Sequence, residues 1–128
     1  MSLQRKNYSN LAAPLGPYSH AVVHNHTLYT SGMTAFGSAA QGSSIEEQTR
    51  QIFSDIEKIC QMHNTSLKEI IKVTLFVSDL TNMENLRSAL FNIYGAHLPA
   101  SSLIKVDALF ARDLSIEIEA MIALPLDA

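Results

Sequence analysis

Two carboxylates share one face of a predicted strand near the end of the chain, in the segment Ile116-Glu117-Ile118-Glu119-Ala120-Met121-Ile122. Apolar and polar residues alternate in this segment, and a period of two is typical of a strand with one buried face. Glu117 and Glu119 would lie about 6.5–7 Å apart on the other face, so each would disfavour ionisation of its neighbour. Such a pair can supply one acid and one anion. The alternative is a solvated face with two ordinary charges, which is the commoner situation for exposed acidic residues.

The composition predicts one globular domain over residues 1–128. Apolar residues make up 47% of the chain and charged residues 16%, and a domain of this length buries about two-thirds of its unfolded surface. Nine Lys and Arg against twelve Asp and Glu give a net charge of −3, and the basic residues are scattered. This distribution disfavours nucleic acid as a partner. The low charged fraction is consistent with a surface that partner subunits cover.

Targeting signals and cysteine content provide little evidence about function. Residues 1–7 lack the apolar core of a secretory signal, and no apolar run approaches the roughly 20 residues that a membrane span needs. These features predict a cytoplasmic protein without membrane contact. Cys60 is the only cysteine, so we expect no internal disulfide and no cysteine metal cluster. Its helical spacing from neighbouring isoleucines favours a packed thiol over a nucleophile.

The first half of the chain predicts an irregular loop followed by a hairpin. Residues 9–19 are punctuated by proline and glycine, which break regular elements. Two β-prone runs, 21–24 and 27–31, flank Asn25-His26, and asparagine tolerates the positive φ of a tight turn. Gly32 follows the second strand. A glycine there lets backbone amides approach a ligand closely, although turn geometry explains it equally well.

The remaining elements complete an α+β pattern. Ser44 lies three residues before Glu47, a capping-box spacing, and apolar residues then recur at steps of three and four as far as about residue 64. Thr81 and Glu84 repeat that spacing before a second predicted helix. Strands are predicted over 71–77, 102–106 and 116–122. The order strand, strand, helix, strand, helix, strand, strand predicts a sheet with both helices on one face.

Five segments together resemble the RidA family, also called the YjgF/YER057c/UK114 family. They are Gly16-Pro17-Tyr18-Ser19, Ser31-Gly32, residues 72–79, Pro99-Ala100 and residues 116–120. They cover nearly the whole chain in the right order. The resemblance implies a chorismate-mutase-like α+β subunit that assembles into a homotrimer with ligand clefts between its subunits.

The resemblance also implies an activity, the hydrolysis of reactive imines and enamines such as 2-aminoacrylate to 2-oxo acids and ammonia. This chemistry needs no metal or other cofactor. Glu117 matches the family's acid, which delivers a proton and positions a water molecule. Tyr18 matches an aromatic wall of the cleft, and Ser31 and Gly32 match a hydroxyl and backbone cradle for a small carboxylate metabolite.

The chain departs from the family at the residue that holds the substrate carboxylate. The family motif is Pro-Ala-Arg-Ser, and Ser101 stands in the place of the arginine. A hydroxyl cannot form the bidentate contacts of a guanidinium. Ser101 and Leu103 nevertheless match the substrate-binding strand, and Arg87 aligns with a helix position that faces the cleft. Arg87 is therefore a candidate for the missing cation, while Met33 replaces a frequent glutamine.

Three functions stay open on these residues. The first is a hydrolase of imines or enamines of small carboxylates, with Glu117 as the acid. The second is a noncatalytic or differently specialised trimer that binds a small metabolite. The third is an endoribonuclease, an activity ascribed to some relatives, which the absence of a basic stripe disfavours. His24 and His26 are too few to form a metal site and are interpreted as solvated turn residues.

Overall fold

A computed structural model describes residues 2–126, in which six strands form one sheet. The strands are β1 Gln4–Lys6, β2 Ala21–His24, β3 Thr27–Thr30, β4 Ile70–Val77, β5 Ala100–Lys105 and β6 Ile116–Ala123. Their order across the sheet is β1-β2-β3-β6-β4-β5. Strands β4 and β5 are parallel, and the other neighbours are antiparallel. Strand β6 therefore lies near the middle, between β3 and β4.

Two helices cover one face of this sheet, which confirms the predicted α+β class. Helix α1 spans Ile45–Met62, helix α2 spans Met83–Tyr94, and a short 3-10 helix spans Leu67–Glu69. The Ser44 hydroxyl accepts a hydrogen bond from the Glu47 backbone N–H, as the capping-box spacing predicts. Among residues 2–126, no helix is long and apolar enough to cross a membrane.

The helix that follows Asp79 begins differently from the prediction. The cap of α2 is Asn82, whose side chain makes no capping hydrogen bond. The hydroxyl and backbone N–H of Thr81 both donate to Asp79 Oδ1, at 2.5 and 2.9 Å. A local turn therefore uses the threonine that was expected to cap the helix, because Asp and Thr side chains compete for nearby backbone groups.

The core lies between the helices and the alternating apolar residues of β4 and β6. Ile116, Ile118 and Ile122 of β6 are fully buried, as the period of two predicts. Cys60 of α1 is also fully buried, and burial, followed by the charge of Glu57, raises the pKa of its thiol to about 11. A thiol with this pKa is uncharged near neutral pH, which agrees with its interpretation as a packing residue.

A buried glutamine of α1 fixes the backbone at the start of β6. The side chain of Gln48 is fully buried. Its Oε1 accepts from the Ser115 N–H at 2.8 Å, and its Nε2 donates to the carbonyl oxygens of Ser43 and Asp113 at 3.0 and 3.1 Å. One side chain thus holds together the helix start and the residues that lead into Glu117.

We predict that Gln48→Ala destabilises the protein because it leaves these backbone groups buried without partners. Each such group costs about 1–3 kcal/mol, so the midpoint of urea unfolding should fall while the slope of the transition stays the same. Gln61→Ala, at an exposed position of the same helix, is the matched control and should change the free energy of unfolding by less than about 0.5 kcal/mol. Equal midpoints for the two variants would contradict the bridging role of Gln48.

Candidate functional site

A cavity of about 530 Å³ opens beside the first half of β6. This volume is typical of small-molecule sites. Five parts of the chain form it: the loop before β2, the segment after β3, Asp55 of α1, Phe110 between β5 and β6, and the sheet face that carries Glu117. Its lining residues are Leu11, Ala12, Ala13, Pro14, Leu15, Tyr18, His20, Ser31, Gly32, Met33, Thr34, Phe36, Gly37, Asp55, Phe110 and Glu117. The structure thus brings together four of the predicted site residues, namely Tyr18, Ser31, Gly32 and Glu117.

Glu117 is the acidic residue of β6 that faces this cavity. The strand alternation places it on the sheet face opposite the helices, beside Phe76 of β4. Burial raises the pKa of its carboxyl group, and the charge of Glu119 raises it further. Both effects act in the same direction because each makes the ionised form less favourable. Glu117 therefore holds a proton at higher pH than an ordinary glutamate, as a proton donor requires.

Gly32 makes room for this carboxyl group. A Cβ atom at position 32 would lie 2.9 Å from Glu117 Cδ, and nearer still to Oε2. Real Cβ atoms do not approach so closely, so any other residue would displace the acid. The next residue is bound to β6, since Met33 and Ile118 exchange backbone hydrogen bonds of 2.9 and 3.0 Å. The glycine is thus needed for close packing against Glu117, a reason that the sequence did not show.

Ser31 and Tyr18 shape the loop side of the cavity. The Ser31 hydroxyl donates to the Ser19 carbonyl oxygen at 2.5 Å, and its backbone N–H donates to the His20 carbonyl oxygen at 3.0 Å. The Tyr18 hydroxyl accepts from the Leu15 N–H at 3.3 Å, and about half of the residue remains exposed. Both hydroxyl groups therefore hold the loop in place, and their remaining lone pairs can accept hydrogen bonds from a ligand.

His20 is a lining residue that the sequence interpretation left without a role. Its Nδ1 accepts from the Tyr8 backbone N–H at 2.9 Å, so its Nε2 carries the proton and donates to the Ala12 carbonyl oxygen at 2.7 Å. Its own backbone N–H donates to Asn7 Oδ1 at 2.9 Å. One imidazole thus joins the start of the chain to the loop that forms the cavity wall.

Tyr8 and His63 extend the contacts of His20 into the core. The Tyr8 ring stacks on His20 with centroids 5.8 Å apart, and its hydroxyl lies 2.7 Å from His63 Nε2. Burial, followed by the negative charge that Cys60 acquires at high pH, raises the pKa of Tyr8 to about 12. Burial, followed by the charge of Lys6, lowers the pKa of His63. Tyr8 is therefore the donor and neutral His63 the acceptor. These contacts join residues 12 to 55 positions apart, so no local sequence pattern predicts them.

Three of the predicted site residues lie away from this cavity. Arg87 is exposed on α2, and Ser101 and Leu103 are exposed on β5. Strand β4 separates β5 from β6. Ser101 and Leu103 are also in register with Val73 and Leu75, whose side chains are buried on the helix side of the sheet. A single chain therefore does not place these residues beside Glu117.

Cations are missing from the part of the cavity that the structure describes. The described lining residues include the acids Asp55 and Glu117 but no Lys or Arg. Residues 2–126 also contain no group of three or more His, Cys, Asp and Glu that could hold a metal ion. His24 and His26 lie at the hairpin turn, where Asn25 and His26 have positive φ. The described lining therefore offers a ligand carboxylate no guanidinium or ammonium group.

The family model for endoribonuclease L-PSP matches residues 9–124. The chain belongs to this family, which is the RidA/YjgF family. It is 31% identical over 116 residues to a RutC family protein of Pyrococcus horikoshii, with 88% of this chain and 90% of that protein covered. It is 30% identical over 117 residues to the 2-iminobutanoate/2-iminopropanoate deaminase of Salmonella typhimurium, with 88% and 91% covered.

Two solved structures share this fold. Yeast Mmf1 superposes with a TM-score of 0.85 and 28% identity over 97% of this chain and 100% of its own. RidA from an Antarctic Psychrobacter superposes with a TM-score of 0.84 and 25% identity over 94% and 99%. The sequence-based recognition of the family and the fold is thereby confirmed.

Proposed function

We propose that this RidA protein hydrolyses imines or enamines of small carboxylates to 2-oxo acids and ammonia, with Glu117 as the acid. The observation that carries the proposal is the position of the Glu117 carboxyl group, packed over Gly32 in a mostly apolar cavity that raises its pKa. The Salmonella relative named as a 2-iminobutanoate/2-iminopropanoate deaminase supports the same reaction class. So does a chloroplastic protein of Arabidopsis named Reactive Intermediate Deaminase A, which is 27% identical over 128 residues.

The proposed reaction needs one proton donor and one water molecule. Protonated Glu117 gives its proton to the imine nitrogen, and the resulting iminium carbon is attacked by water. The carboxylate that remains accepts a proton from this water, which leaves a carbinolamine. Glu117 then returns this proton to the amine nitrogen, the C–N bond breaks to release ammonia, and the hydroxyl proton passes to the Glu117 carboxylate as the 2-oxo acid forms. For an enamine, protonation at carbon gives the iminium ion directly. One imine and one water molecule are thus converted to one 2-oxo acid and one ammonia, with Glu117 regenerated.

The substrate carboxylate requires a cation, and we propose that Arg87 of a neighbouring copy supplies it in a homotrimer. The described cavity lining contains no Lys or Arg, and Ser101 replaces the family's arginine. Arg87 is exposed, so its guanidinium is available to another chain. The sheet face opposite the helices supports an assembly, because it carries Tyr29, Ile104 and Met121, each at least 40% exposed.

A metabolite-binding protein without catalysis is the second candidate. It is favoured by the serine at position 101, because loss of the bidentate anchor is what a change of ligand would produce. The two candidates differ in turnover and not in binding. The name of the family model also raises endoribonuclease activity, but a net charge of −3 and the acidic lining give a phosphate backbone little attraction.

Glu117→Gln tests the catalytic role directly. We expect it to lower the turnover of 2-iminobutanoate about 10²–10⁴-fold, the usual worth of a positioned acid. The imine can be made in situ by an amino-acid oxidase, and its loss measured against trapping by semicarbazide. Glu119→Gln is the matched control, since it makes the same substitution on the same strand face but outside the cavity. We expect that control to lose less than about tenfold.

Two results of this assay would contradict the proposal. Equal losses in the two variants would mean that Glu117 contributes no more than a carboxyl group outside the cavity. If the wild-type protein hydrolyses the imine no faster than buffer does, the hydrolase proposal is wrong and the metabolite-binding candidate remains.

Mixed trimers test whether Arg87 acts across a subunit boundary. Arg87→Ala and Glu117→Gln should each be impaired alone, whereas co-expression of the two variants should restore about one quarter of the wild-type activity. Each site that two subunits share then has about an even chance of an intact Arg87 and about an even chance of an intact Glu117. About one quarter of the sites therefore have both. Mixtures that are no more active than the separate variants would mean that Arg87 does not complete the site of a neighbouring copy.

A further inference from the structure

An exposed pair of aromatic rings borders the cavity on the side formed by two loops. Phe36 follows β3, and Phe110 lies between β5 and β6. Their ring centroids are 4.9 Å apart and their planes are tilted by 56°. The residues are 42% and 61% exposed, although both line the cavity. Two phenylalanines that pack on each other and still face solvent leave apolar surface free for a ligand.

Hydrogen bonds between the two loops hold this pair in position. Gln41 Oε1 accepts from the Gly37 N–H at 2.7 Å, and Gln41 Nε2 donates to Asp113 Oδ1 at 3.0 Å. The Gly42 N–H also donates to the Asp113 carbonyl oxygen, at 3.2 Å. The segments that carry Phe36 and Phe110 are therefore joined before any ligand arrives, and a preformed surface binds without the cost of ordering it.

Other apolar side chains also line the cavity. Leu11, Leu15 and Met33 line it together with the two rings. A three-carbon imine consists mainly of its carboxylate and its reacting C=N group, so it has little apolar surface to place against this wall. A substrate with a branched or aromatic side chain would remove both its own apolar surface and that of the two rings from water.

We propose that the cavity selects 2-oxo and 2-imino acids with large apolar side chains, and that Phe36 and Phe110 determine this preference. The inference rests on the proposed function for the identity of the reacting group. It adds the side-chain class, which neither Glu117 nor the carboxylate anchor determines. Smaller acids such as pyruvate would occupy the same site and leave the aromatic pair exposed.

Calorimetric titration with a series of 2-oxo acids tests this inference. The ligands are pyruvate, 2-oxobutyrate, 4-methyl-2-oxopentanoate and phenylpyruvate, each bound to the full chain. We expect the last two to bind at least about tenfold more tightly than pyruvate, which corresponds to about 1.4 kcal/mol. Equal affinities, or no binding of the two larger acids at the highest concentration used, would overturn the inference.

The double variant Phe36→Ala/Phe110→Ala assigns the preference to the aromatic pair. We expect it to abolish the tenfold difference, because it removes the apolar surface against which the larger side chains would pack, and its melting curve checks that the variant is folded. Met62→Ala is the control, since Met62 is 61% exposed, like Phe110, but does not line the cavity. A preference that persists in the double variant would overturn the role of the two rings.

The imine assay separates this inference from the proposed function. If the protein hydrolyses 2-iminobutanoate but binds the four acids without a size preference, the inference is wrong and the proposed hydrolase function stands. If the protein prefers the larger acids but does not hydrolyse the imine, the binding preference stands and the proposed hydrolase function is wrong.

Discussion

The packing of one carboxyl group against one glycine is the constraint on which the site depends. Glu117 needs a partly buried position to keep its proton, and burial requires the neighbouring backbone to approach closely. Gly32 permits that approach because a Cβ atom would overlap the Glu117 side chain. The charge of Glu119 adds to the effect of burial. The resulting acid has a cost, since a carboxyl group with a raised pKa destabilises the folded state above that pKa.

The fold provides this position through a strand with two different faces. The isoleucines of β6 pack under the helices, so Glu117 must point to the open face. Gln48 holds the residues before the strand, and the backbone pairing of Met33 with Ile118 holds the segment after Gly32. The same open face carries exposed apolar side chains that suit contact with other copies. The proposed catalysis and the proposed assembly therefore use the same face of the sheet.

Regular elements and the acidic pair could be predicted from the sequence because they depend on local periodicity. The period of two in β6 placed Glu117 opposite the core, and the Ser44 cap marked the start of α1. The remaining features depend on contacts between distant residues. Strand β1 has only three residues, too few for a pattern, and was missed. The stacking of Tyr8 on His20 and the Phe36–Phe110 pair join separate loops, so only the folded chain shows them.

The most direct test of the account is a ¹³C NMR titration of the Glu117 carboxyl group, assigned by its loss in Glu117→Gln. We predict a pKa above the ordinary glutamate value of 4.5, because burial and Glu119 both oppose ionisation. The same measurement in Glu119→Gln should give a lower pKa than in the wild type, although still above 4.5. A wild-type pKa at or below 4.5 would mean that water reaches the carboxyl group freely, which would contradict its role as the proton donor of the site.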